Sequence, residues 1–152
     1  GLFVYLLLSR SGPLGFTRLL FSVPAMVVAQ TILASPLIAA LTVAAVESVD
    51  RRVRAVALSL GASELRATLT LLGEARFAMG AAVIAGFGAV ISEVGAVMMV
   101  GGNIASHTRV MTTAIVLETG KGNFDLAIAL GIILLLIAFV VNFALGFLQR
   151  WR

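Results

Sequence analysis

"RRVRAVALSLGASELRATLTLL", residues 51–72, decides how this chain must be read. It carries four of the eleven basic residues, Arg51, Arg52, Arg54 and Arg66, yet long and almost uncharged stretches flank it on both sides. Val53, Val56, Ala57 and Leu60 recur at i, i+3, i+4 and i+7, one face of a short helix, and Arg51, Arg52 and Arg54 fall largely off that face. Gly61 suits the position just past a helix end, because without a Cβ it takes positive φ freely. Ser63 then suits the N-cap of a second helix with Leu65, Leu69 and Leu72 on its apolar side. The region from about 48 to 73 is therefore expected to be helix, glycine turn, helix, with stripes too short to cross a bilayer. Two roles fit such a segment: a connector resting on lipid headgroups, or a helix docked in the groove of a soluble partner.

Working outward, the flanks set the class. Leu19–Val46 holds no charge over 28 residues, Phe77–Gly102 holds only Glu93, and Leu126–Gln149 is uncharged over 24. Each is long enough to cross a bilayer, which takes about 20 apolar residues as helix. The expected spans are about 19–46, 75–102 and 124–149. Composition agrees: the chain is 61% hydrophobic and 12% charged, where a soluble domain carries roughly 25% charge. Its mean hydropathy is +1.11. The net charge of +4 does not form one basic stripe, so no nucleic-acid partner is expected. The opening "GLFVYLLLSR" has neither the basic start nor the small-residue cleavage site of a signal peptide. It reads as the tail of a further span, so an N-terminally incomplete chain is expected.

Orientation follows from the arginines. With the 51–72 region and the C-terminus on one side, that side holds Arg51, Arg52, Arg54, Arg66, Arg76, Arg150 and Arg152, seven basic residues. The other side keeps Arg10, Arg18, Arg109 and Lys121, four. Seven against four puts the loop and the C-terminus in the cytoplasm. Trp151 is then expected at the cytoplasmic interface.

"AVALSLGASELRATLTLL" resembles the cytoplasmic coupling loop of binding-protein-dependent ABC importer permeases. That loop reads Glu-Ala-Ala, three residues, Gly; here Ala55, Val56 and Ala57 stand at the first three places, Gly61 at the glycine, and Ala62 and Ser63 follow. The likeness continues through "VISEVGAVMMVGGNI" and "TRVMTTAIVLETGKGNF". Together these look like the permease subunit of tungstate-type importers, kin of the molybdate and sulfate permeases. The resemblance implies an all-α polytopic bundle of the MetI-like permease type in a prokaryotic plasma membrane. It implies a second permease copy in a homodimer, a cytoplasmic ABC ATPase and an extracytoplasmic oxyanion-binding protein. Ala55, Val56, Ala57, Leu60, Gly61, Ala62 and Ser63 would be the coupling residues.

The residues themselves are compatible with that division of labour. There is no Gly-rich phosphate loop followed by Lys-Ser/Thr, so ATP energy must arrive through a contact. There is no cysteine, hence no thiolate metal site, and no cofactor or metal is expected. Within the spans, Ala81, Ala85 and Ala89 form one small-residue row, and Ala82 with Gly86 another. Pro24 and Pro36 bracket the centre of the first span; Gln30, Thr31 and Ser35 near them face either a wet lumen or another helix. Glu93, an intramembrane carboxylate, would repel an anion on its path. It is expected to be a hydrogen-bonded structural or gate group rather than a ligand. Arg109 is a candidate for steering the incoming anion, or a solvated surface residue. Gln30, Glu93 and Arg109 are thus the path or gate candidates. Ser106 beside His107, with Glu118, raises an intramembrane hydrolase as a rival, though adjacent residues cannot readily align Oγ with an imidazole nitrogen. A channel or carrier without an ATPase is the other rival.

Overall fold

The computed structural model describes residues 1–150, with side chains through Phe147. Among them there are seven α-helices and no strand: α1 Leu2–Leu8, α2 Val23–Glu47, α3 Arg51–Ser59, α4 Glu64–Ile91, α5 Gly95–Gly101, α6 Met111–Gly120 and α7 Phe124–Arg150. A 3-10 turn, Gly15–Thr17, lies between α1 and α2. Trp151 lies outside the described residues.

Among the described residues three helices are long and apolar enough to cross a membrane: Val23–Glu47, Glu64–Ile91 and Phe124–Phe147. Helices that are apolar nearly all round belong in lipid rather than on the surface of a soluble core. Only 6% of the most apolar window of α7 is buried within the chain, and its Leu135, Phe139 and Phe143 side is open.

Helix boundaries depart from the apolar runs, for local reasons. α2 starts at Val23, not at 19, because Ser22 caps it and accepts from the Ala25 amide. Pro24 therefore falls in the first turn, where its missing N–H costs nothing; only Pro36 interrupts the ladder. The second helix starts at Glu64 and ends at Ile91, instead of running from 75 to 102. Its first turns carry the exposed polar residues Glu64, Arg66, Thr68 and Thr70, and nothing in them stops a helix. The second half of the opening loop and the second span are thus one continuous rod.

α2 and α4 make the most extensive packing in the chain. Ala82 and Gly86 form its contact row, whereas Ala81, Ala85 and Ala89 lie on the exposed side of α4. A Cβ on Gly86 would lie 2.5 Å from Ile38 Cδ1, so the two helices approach as closely as a glycine permits. A second cluster gathers Val4 and Leu8 of α1, Ala25 and Ala29 of α2, and Ala96 and Val100 of α5. Phe21 ties its edge, donating its amide to Val100 O at 2.8 Å and meeting Tyr5 edge to face. α6 packs along α7, and α7 touches α4.

Candidate functional site

The 51–72 stretch folds as a helix, a glycine turn and a helix. Asp50, which the apolar spacing does not mark, caps α3 by accepting the Arg52 amide at 2.8 Å. At the other end Gly61 N–H donates to Leu58 O and Ala62 N–H to Ala57 O, with Gly61 at φ +83°. That pair of bonds is a Schellman ending, which calls for a left-handed residue at this place. Ser63 then caps α4 by accepting the Arg66 amide. Arg54 pairs with Glu64 across the turn and holds the two helices together. The pair is exposed, so it contributes at most about 1 kcal/mol.

This geometry decides which side chains are offered outward. Val53, Ala57 and Leu58 turn partly inward, while Ala55, Val56, Leu60, Gly61 and Ser63 are exposed and Ala62 is half-covered. The apolar face read from spacing is therefore split. Leu60 is 82% exposed and Leu65 70%, with Val56 and Leu69 beside them, so the turn presents an apolar crown around Gly61. A Cβ on Gly61 would meet nothing within 4 Å.

The path candidates lie at the far end of α4. Its 28 residues span about 42 Å at 1.5 Å each. There the helix breaks over Ser92–Val94, and a cleft of about 320 Å³ opens between α2, α4, α6 and α7. Gln30 and Glu93 both line it, with Phe87, Val90, Val110, Met111 and Thr112 among the other residues. Gln30 Nε2 donates to Val90 O at 3.4 Å, bridging α2 to α4. Thr31 and Ser35 instead donate to carbonyls of their own helix, Val27 O and Thr31 O.

Glu93 holds the break together. Its Oε1 accepts the Ala96 amide at 2.7 Å, satisfying an orphan donor of α5. Its backbone oxygen accepts from Thr112 Oγ1 at 3.3 Å, so one residue links the end of α4 to the starts of α5 and α6. The loop between α5 and α6 is stitched by threonines that spacing did not single out. Thr108 Oγ1 donates to Gly101 O and accepts from Ile104 N; Thr113 Oγ1 accepts the Val110 amide. Both are buried, and the only sequence sign of them is polar residues opening an apolar run, "TRVMTT".

Arg109 is not in the cleft. It lies exposed beside it and is tied to Asn103, donating from Nε to Oδ1 at 3.2 Å and from Nη2 to the backbone oxygen at 3.3 Å. Ser106 and His107 are exposed on the same loop, and no hydrogen bond joins them among the described residues. Glu118 serves the α6–α7 turn instead. Lys121 donates to it at 2.7 Å and Asn123 Nδ2 at 3.1 Å, which hold its carboxyl below the ordinary value.

The fold and these sites define a multi-pass, all-α membrane chain with an amphipathic helix–turn–helix at the foot of α4 and a broken-helix cleft where α4 ends. Its homologues are named as permeases. It is 47% identical over 151 residues to "Probable anion ABC transporter permease protein" of Haloferax volcanii, covering 96% of this chain and 65% of the relative. It is 43% identical over 150 residues to "Tungstate uptake system permease protein TupB" of Campylobacter jejuni, covering 99% of this chain and 63% of that one. The same name belongs to a relative from Peptoclostridium acidaminophilum, 42% identical over 150 residues, with 99% and 66% covered. The chain thus spans a little under two thirds of the length of these curated relatives. No family model matches it. No solved structure matches it either.

Proposed function

We propose that this chain is the main part of the permease subunit of an ATP-driven oxyanion importer, with tungstate as the substrate. The observation that carries the reading is the exposed apolar crown around Gly61, on a chain whose relatives include two tungstate uptake permeases. The Schellman turn and the Arg54–Glu64 pair set the two helices before any partner arrives, and a preorganised turn binds at lower entropic cost.

In this reading the Ala55–Ser63 segment docks on a cytoplasmic ABC ATPase, and the arginines around it keep it on that side. Two copies of the permease enclose the path, and an extracytoplasmic binding protein delivers the anion. The cleft that holds Gln30 and Glu93 is the gate region. Glu93 acts there as a brace between three helices, which keeps its charge engaged and off the anion's route.

The test is Gly61→Leu in the full-length permease. A leucine at φ +83° is strained by about 1 kcal/mol or more and adds bulk where the partner docks. The variant inserts normally, fails to capture the ATPase in a pull-down and loses uptake of radiolabelled tungstate. The binding protein's affinity for the oxyanion is unchanged. Normal capture and normal uptake together would reduce the loop to a lipid-surface connector. The Haloferax relative is named for an anion rather than for tungstate, so molybdate or another oxyanion stays as the second reading. Uptake with unlabelled molybdate, sulfate and tungstate as competitors separates the two.

A further inference from the structure

At the end of α2 opposite α3, the connection from α1 winds into a tight turn. Leu14 N–H reaches back to Leu7 O, Gly15 N–H to Gly12 O, and Thr17 donates from both amide and hydroxyl to Leu14 O. A Cβ on Gly15 would lie 2.5 Å from Ser9 O, so the winding admits little but glycine there. Arg18 closes the turn in the left-handed region at φ 52°, its amide on Gly15 O. A non-glycine residue takes that conformation only where its surroundings impose it. The result is that Arg10 and Arg18, eight positions apart, border the same recess.

We propose that Arg10 and Arg18 form a two-guanidinium site for a tetrahedral oxyanion group, carried either by a free dianion or by a lipid headgroup phosphate. The recess of about 380 Å³ is lined on its polar side by both arginines, Ser9 and Tyr5. Every one of these side chains offers a donor and none is a carboxylate. A neighbouring recess of about 520 Å³ is again bordered by Arg10 and Arg18, with Phe16 beside them. Among the described residues neither arginine has an ion-pair partner, and the first acidic residue of the chain is Glu47. Guanidinium forks match the oxygens of a tetrahedral anion geometrically, which a lysine's point charge does not. Phe16 is 80% exposed next to them, as an interfacial ring dipping toward acyl chains would be. The site is stated from its donors and holds whether or not the chain couples to an ATPase.

The experiment uses the full-length protein in detergent, with no binding protein present. One arm measures radiolabelled tungstate by equilibrium dialysis. The other counts phosphatidylglycerol adducts by native mass spectrometry. In the double variant Arg10→Gln/Arg18→Gln, binding in one or both arms weakens about tenfold to a hundredfold, the size expected for lost charge-assisted hydrogen bonds. Loss in the tungstate arm assigns a free anion, and loss in the lipid arm a headgroup. The double lysine variant restores only part of it. If the double variant does not fold, Arg10→Gln alone, in an exposed turn, gives the same pattern with a smaller loss. Unchanged binding in both arms, in a folded variant, overturns the proposal. So does unchanged binding with weakened capture of a soluble acidic protein, which would make the pair a protein-docking patch.

Discussion

Glu93 shows how much one side chain can hold at this scale. A carboxylate in a broken helix has unsatisfied amides within reach, and here it takes that of Ala96, the second residue of α5. Glu93→Gln keeps an acceptor oxygen, so the variant folds and inserts; removing the charge changes the transport rate. Glu93→Ala leaves the Ala96 amide without its acceptor and costs about 0.5–2 kcal/mol, the usual loss for a cap, read as a lower thermal midpoint in detergent. Normal transport by Glu93→Ala at unchanged stability would remove the bracing role. The residue was legible as exceptional because it is the one ionisable group in the 77–102 run. Its task was not legible, because an apolar run shows no sign of where its helix stops. Thr112, which closes the same junction from α6, gave still less signal, since threonine is common in apolar helices as a self-bonded side chain.

At the scale of elements, length and charge were enough to foresee three spanning helices and a helix–turn–helix between the first two. Boundaries were foreseen unevenly: the third span, expected at 124–149, is α7 Phe124–Arg150, whereas the start of the first and both ends of the second were displaced. Hydropathy detects where a helix enters lipid, while helix formation depends on backbone and caps, so the rod from Glu64 was foreseen in two pieces, a helix capped by Ser63 and a span from about 75. The small-residue rows show a similar limit: both rows on α4 read alike in sequence, and only Ala82 and Gly86 meet a neighbour. Gly86→Leu should therefore separate α2 from α4, costing about 1–3 kcal/mol for overpacking. Ala85→Leu, one position away on the open side, should be tolerated within about 0.5 kcal/mol. Thermal midpoints of the two purified variants check this, and equal losses would refute the packing assignment.

For the whole molecule the prediction is about sidedness. The orientation expected from the arginine balance has Ser63 facing the cytoplasm; on that reading Ser63→Cys in the full-length permease should be unreactive to an impermeant maleimide in intact cells. It should be labelled in inverted vesicles, where its exposed position leaves it open. Labelling from outside would reverse the orientation and take the ATPase reading with it.

The unbroken α4 has a mechanical consequence. A rigid strut pushed at its foot acts as a lever, and this one is about 42 Å long from the Gly61 end to the break. A swing of about 10° at the foot carries the other tip through roughly 7 Å, more than one helical turn's pitch. The tip is Ile91, next to the Glu93 junction, so the displacement is delivered where three helix ends are joined by two hydrogen bonds. In the coupling reading, a push at the Gly61 end is carried to that junction along one helix, and α2, packed on α4 at Gly86, moves with it.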